Sequence, residues 1–230
     1  MNLRSLSILL NALLLWGLAS AATAAQPQPE QTTADGLRLT PSKNVELLYT
    51  RPGASLAAYE RVALLECYVA FRKDWQRDQN DTGIRVTGAD MERIRKNLAG
   101  EFQKVFAEEL AKGGYTLADK GADDVLILRP AIIDLDVAAP DTISPGMGRT
   151  FATSAGSMTL YLELYDGATG QIIARAFDRT SARDMGLMMW QNSVTNRAEA
   201  DRQLKKWADL ARKALDNAHA VPGSAPPSAP

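Results

Sequence analysis

Apolar and polar positions alternate most cleanly between Ser157 and Arg179. Met158, Leu160, Leu162 and Leu164 interleave with Thr159, Tyr161, Glu163 and Tyr165, the period-2 pattern of a strand with one buried face. Asp166-Gly-Ala-Thr-Gly170 supplies a turn, its glycines free to take positive φ. Ile172, Ala174 and Ala176 resume the alternation. The stretch therefore reads as a hairpin, with Leu164 opposite Ile172, Leu162 opposite Ala174 and Leu160 opposite Ala176. One face is then apolar and thin enough for a helix to lie across it. A one-residue slip would place Arg175 on that face, so burial selects the register.

A helical period occurs twice. From Asp90 to Lys112, the residues Met91, Ile94, Leu98, Phe102, Val105, Phe106 and Leu110 form one apolar stripe. Thr87 or Ala89-Asp90 starts this helix, Asp90 and Glu92 suit the positive end of its dipole, and Gly113-Gly114 ends it. Gly100, in mid-helix, costs about 1 kcal/mol relative to Ala, which a close helix–sheet contact would explain. A second helix runs to about Asn217 from a capping-box-like Asn196 with Glu199, carrying Leu204, Trp207, Leu210, Ala211, Ala214 and Leu215.

Further strands are predicted at Arg61–Phe71, Tyr115–Ala118 and Asp124–Val137. Pro130 cannot donate a ladder hydrogen bond, which puts that last strand at an edge or bulges it there. Residues 35–53 read as mostly irregular, with a short extended piece at Val45–Tyr49. Arg72–Asp78 reads as the exit from the first strand. Residues 138–155 read as a long loop, and Met185–Trp190 as an apolar knot without a period. The expected fold is α+β: one domain over residues 35–218, a mostly antiparallel sheet of about five strands, and two long helices packed on one face.

A length of 230 residues with 46% apolar content suits one domain with tails. Residues 1–25 read as a secretory signal peptide. Arg4 precedes the apolar run Leu6–Leu18, and Ala22-Thr-Ala-Ala25 offers a cleavage site after Ala24 or Ala25. The alternative, an uncleaved anchor, would need the roughly 18–20 apolar residues that span a bilayer. Residues 26–34 form a polar leader and 219–230 a Pro/Ser/Ala-rich tail expected to be disordered. The expected location is periplasmic or secreted, with no membrane-spanning segment after cleavage. Beyond residue 25 the chain carries 25 basic and 27 acidic residues, a balance that argues against nucleic-acid binding.

Familiar catalytic machinery is missing from the sequence. One His, His219, excludes a His-based triad and a His/Cys zinc site. There is neither a phosphate loop with its Lys nor a G-x-S-x-G elbow. The lone Cys67 cannot form an internal disulfide and reads as a buried small hydrophobe rather than a reactive thiol. Asp134 and Asp136, at i and i+2 on one strand face with Asp141 following, either bind a divalent cation or are solvated charges discouraging edge pairing. Arg72, Trp75 and Arg77 form a candidate partner or glycan-strand contact, the alternative being that Trp75 caps the core. Met188 and Trp190 offer an adaptable apolar surface, or are core. Tyr161, expected opposite Arg175, shares a face with Tyr165 and Phe177 and suggests a cation–π surface. No catalytic residue and no cofactor is assigned.

Several motifs fall in a familiar order: Asp35-Gly-Leu, Arg51-Pro-Gly with Tyr59-Glu-Arg-Val62, Phe71-Arg-Lys-Asp-Trp75, Asp134-Leu-Asp-Val-Ala-Ala-Pro-Asp141 and Ala155-Gly to Asp178-Arg179. Over roughly residues 35–215 the chain resembles a bacterial envelope family, domain of unknown function 3313. Many members look like lipoproteins, whereas the leader here has no Cys. The resemblance implies an envelope location and the extent of the domain, and it carries no activity, substrate or catalytic residue. The expected function is a non-enzymatic envelope interaction module that contacts another envelope protein or the cell-wall surface. The alternative is a small-ligand or divalent-metal-binding protein using Asp134, Asp136 and Asp141.

Overall fold

A computed structural model describes residues 29–83, 85–137, 156–181 and 193–220. In chain order the elements are β1 (Arg38–Thr40), β2 (Leu47–Thr50), β3 (Arg61–Leu64), β4 (Tyr68–Phe71), α1 (Trp75–Asp81), α2 (Gly88–Lys112), β5 (Thr116–Leu117), β6 (Val125–Val137), β7 (Gly156–Asp166), β8 (Ile172–Ser181) and α3 (Ser193–Ala220). The strands form one eight-stranded sheet ordered β1-β2-β8-β7-β6-β3-β5, with β4 also paired to β6. The pairs β1–β2, β2–β8, β8–β7 and β7–β6 are antiparallel, whereas β6–β3, β6–β4 and β3–β5 are parallel.

This mixed, eight-stranded sheet with three helices corrects the expectation of about five mostly antiparallel strands and two helices. The parallel part follows from connectivity. A strand that returns to its own sheet through a long helix comes back in the same direction, and α2 makes such a crossover between β3 and β6. The added strand β1 is three residues long, too short for periodicity to register, whereas the two-residue β5 falls within the strand expected at Tyr115–Ala118. The extra helix α1 starts at Trp75 after Asp74, which takes a left-handed φ of 61° and gives no side-chain cap, so no start signal marks it.

The run from Arg61 to Phe71 is two strands rather than one, and Pro130 accounts for the break. Leu65 N–H donates to Leu128 O, so before the irregularity at Asp134 the even-numbered residues of β6 turn their backbone toward β3 and β4. Pro130 has no N–H to offer there. β3 pairs with Val125–Leu128, β4 resumes at Ala131, and the chain between them leaves the ladder. Pro130 therefore sits in an interior strand, against the expectation of an edge or a bulge at that position. The irregularity of β6 toward β7 lies between Ile133 and Asp136, where Asp134 has φ of 51°.

Both long helices pack on one face. Phe102, Val105, Phe106 and Leu110 of α2 and Leu204, Trp207, Ala208 and Leu215 of α3 join one core with Leu126, Leu128 and Ile132 of β6 and Met158, Leu160 and Leu162 of β7. Thr87 caps α2 in a reciprocal box, accepting from Asp90 N–H at 3.2 Å while Asp90 Oδ2 accepts from Thr87 N–H at 3.0 Å. The helix α3 begins at Ser193, so Asn196 lies inside it instead of capping it. A buried polar tie orients α3: Trp207 Nε1 donates to Asp178 Oδ2 at 2.7 Å, and Asp178 Oδ1 accepts from Glu46 N–H at 3.2 Å.

The hairpin register also differs from the one read from the turn. Leu164 lies opposite Ala174, Leu162 opposite Ala176 and Leu160 opposite Asp178, two residues from the expected pairing. Asp166 and Gln171 close the turn, and an irregularity between Leu164 and Tyr165 absorbs Ile173 as an extra residue. Ile172 then packs with Leu37 and Tyr49 on the outer side, while Ile173 joins the main core.

Gly100 is exposed, and the space a Cβ would occupy holds no atom within 4 Å, which removes the proposed close contact as its explanation. Gly100→Ala is therefore expected to stabilise the domain by about 1 kcal/mol and to raise the thermal midpoint by roughly 2–4 °C, read by calorimetry. A fall in the midpoint would show that the exposed backbone there is occupied by something else.

Candidate functional site

The sheet face away from the helices carries a row of charge set by register. Arg129 of β6, Glu163 of β7 and Arg175 of β8 lie directly across from one another on adjacent strands. Tyr161 and Tyr165, two residues either side of Glu163, share its face. Glu163 is 1% exposed. Its Oε1 accepts from the Tyr161 hydroxyl and from Arg175 Nε (3.0 Å) and Nη2 (2.8 Å). Its Oε2 accepts from Arg129 Nε (2.8 Å), from Arg129 Nη2 and from the Tyr165 hydroxyl (2.8 Å). Six donors saturate two oxygens.

Burial by itself would raise the Glu163 pKa. The hydrogen bonds from Tyr161, Tyr165, Arg175 and Arg129 outweigh it and hold the carboxyl at about 2. Tyr161 is pushed up to about 12, first by burial and then by its bond to Glu163, and Tyr165 moves the same way for the same reasons. The hydrogen bond to Glu163 raises Arg129 further. At neutral pH every charge in the cluster is locked, so it is unsuited to proton transfer. Its chemistry is presentation: Arg129 Cζ lies 5.2 Å from the Tyr165 ring centroid, Arg175 Cζ lies 5.8 Å from that of Tyr161, and Tyr161 meets Phe177 edge-on at 4.8 Å.

The N-terminal turn closes one side of the site. Asp35 Oδ2 accepts from Arg175 Nη2 at 2.8 Å, and Arg51 Nη2 donates to Asp35 O at 3.0 Å. Arg175 is left 17% exposed, against 56% for Arg129. The outward-facing part of the cluster is thus Arg129 lying over Tyr165.

The residues singled out from sequence are placed differently. Trp75 is 1% exposed, stacks on Phe71 at 4.2 Å and donates to Val137 O at 3.3 Å, so its ring lines the core. Arg72 is held by Asp136 at 2.8 Å and Asp78 at 2.6 Å. Arg77 is exposed, near Asp74 and Asp78. Asp134 points to solvent at the β6 irregularity, while Asp136 is engaged by Arg72, so the two are not a paired ligand set. Asp141, Met188 and Trp190 lie outside the described residues. Cys67 is buried, which pushes its thiol up to about 12. Among the described residues no group of three or more His, Cys, Asp or Glu is placed to hold a metal ion, and no helix is long and apolar enough to cross a membrane.

Tyr161 faces Phe177, not Arg175 as the sequence register had it. Glu163 and Arg129 were missed. The available signal was Arg129 at the one charged outward position between Val125 and Ile133, with Glu163 at the centre of the next strand.

The family model described as protein of unknown function (DUF3313) matches residues 31–211. The chain belongs to the DUF3313 family. No curated protein matches it. Similar solved structures include a PelC dodecamer from Paraburkholderia phytofirmans, at 13% identity and a TM-score of 0.38, covering 73% of this chain and 95% of that one. They also include a DUF4136 family protein from Bacteroides thetaiotaomicron VPI-5482, at 13% identity and a TM-score of 0.34, covering 76% and 98%.

In this DUF3313 protein the depressed Glu163 pKa makes stability depend on acid. The folded state favours the ionised form, so its contribution is complete above the ordinary Glu range near pH 4.5 and is lost as pH falls toward 2. The loss is expected to be on the order of 3 kcal/mol, read from urea midpoints across that window. Glu163→Gln leaves two guanidiniums without their anion, is expected to cost about 3–5 kcal/mol at neutral pH, and should flatten the acid limb. An unchanged acid limb in Glu163→Gln would assign the dependence to other carboxylates.

Proposed function

We propose that this protein is an exported, non-enzymatic envelope protein that holds a protein partner against the outer face of its sheet. The leader pattern of residues 1–25 motivates export. The observation that carries the binding role is Arg129, 56% exposed yet fixed by Glu163 and laid over Tyr165. Arg and Tyr dominate the energetically decisive positions of protein interfaces. Side chains already immobilised in the free protein lose little further freedom on binding. This reading moves the contact from the buried Trp75 to the β6–β7–β8 face.

A photo-crosslinking residue at position 131, beside Arg129 on the outer face and opposite Tyr161, tests it in intact cells, with position 96 on α2 as control. The expected result is a discrete adduct from position 131 and none from position 96, reduced at least fivefold by Arg129→Ala in a chain that still melts cooperatively. Absence of the adduct, or an adduct indifferent to Arg129→Ala, would remove the proposal. Export is read separately, from a mature N-terminus after Ala24 or Ala25 in the periplasmic or extracellular fraction. Full-length protein retained in the cytosol would overturn that half.

A further inference from the structure

The C-terminal ends of α2 and α3 finish side by side. Arg212 of α3 binds Glu109 of α2 at 3.0 Å, and further along both chains Tyr115 meets Asp216 and His219. The helices therefore run in the same direction and end together beside the start of β3 and β5. There they border an open surface groove of about 770 Å³ whose walls include Glu60, Arg61, Tyr115, Asp124, Asp216 and His219. Small-molecule sites occupy roughly 300–1,000 Å³.

The aromatic wall is built by the helix stop. Gly114 at φ of 83° lets Tyr115 N–H return to Leu110 O and Gly114 N–H to Ala111 O, a Schellman closure that fixes the direction of Tyr115. The ring then folds back over Gly113, where a Cβ would lie 2.7 Å from it. The Tyr115 hydroxyl donates to Asp216 Oδ1 at 3.0 Å, and the His219 ring stands 5.8 Å from the Tyr115 ring. His219 Nδ1 lies 2.8 Å from Leu215 O. A carbonyl only accepts, so Nδ1 carries a proton.

Acidic groups outnumber cations among these wall residues, with Glu60, Asp124 and Asp216 against Arg61. Arg61 is committed to Asp124 by two bonds of 2.5 and 2.6 Å. Glu60 is exposed and lies within electrostatic reach of Arg61. Asp216 Oδ2 goes to Arg212, leaving Oδ1 on the Tyr115 side. Two helix C-termini each add roughly half a negative charge. Accepting groups and a negative field thus surround an aromatic pair, a combination that suits a positively charged N–H donor with a short carbon chain.

We propose that this groove binds a small organic amine in its ammonium form, with Glu60 and Asp216 as counter-charges and the Tyr115 ring as the apolar wall. The site is on the helix side of the molecule and is independent of the outer sheet face. Amide chemical shifts of the mature chain, titrated with 1,4-diaminobutane, test the proposal. 1,4-Butanediol serves as the neutral analogue, butyrate as the anionic one and magnesium chloride as the inorganic cation. The expected result is a saturable shift centred on Tyr115, Thr116 and His219 with the diamine alone, and affinity at least fivefold weaker in Glu60→Gln and in Asp216→Asn. Both substitutions keep side-chain shape, and Glu60 is at the surface. Equal response to the diol or to magnesium, no saturation with the diamine, or affinity unchanged in both variants would each overturn it.

Discussion

Glu163 is a carboxylate removed from water, and the sheet depends on what lies across from it. An ion in that position is tolerated only with counter-charge and full hydrogen bonding. Arg129 and Arg175 supply both, from strands that neighbour β7 on either side. Sliding either neighbour by one residue would carry its arginine to the helix face and leave Glu163 short of a cation. The apolar pattern on the inner face demands the same register. Two independent requirements, one for burial and one for charge, therefore select a single alignment of β6, β7 and β8.

Much of the inner face was legible because period and burial coincide there. Phe102, Phe106 and Leu110 on α2, and Leu160 and Leu162 on β7, were recognisable from spacing alone, and each is buried or nearly so in the core. What spacing does not encode is partner choice. Arg61–Phe71 reads as a strand whether its neighbour runs with it or against it, and only the intervening 25-residue helix distinguishes the two. The hairpin failed for a different reason. A bulge at Ile173 adds a residue that alternation counts as ordinary, so the faces came out correctly for Leu160 and Leu162 while the cross-strand partners did not. The Arg175 half of the outer-face cluster was hidden by the same error, because the bulge is what brings Arg175 opposite Glu163.

The motifs through which the sequence resembles its family turn out to be tie points between distant segments. Asp35 reaches Arg175, and Arg51 holds both Asp35 O and, through Nε at 2.6 Å, Ile172 O. The Tyr59 hydroxyl donates to Asp166 at 2.8 Å, Arg61 pairs with Asp124, and Phe71 stacks on Trp75. Asp178 anchors Trp207. In this chain these polar and aromatic side chains are spent on architecture.

The division of the sheet margin opposite Pro130 has a consequence for how copies of this chain meet. An extended, uninterrupted strand on that side would offer a long row of free amides and carbonyls to any other polypeptide seeking a template. Instead β3 is partly covered by β5, and β4 is only four residues long with an irregular pairing between Val69 and Phe71. Margins that are short and uneven recruit foreign strands poorly. A single imino acid, by interrupting one ladder, thus helps keep the protein from assembling edge to edge at high local concentration.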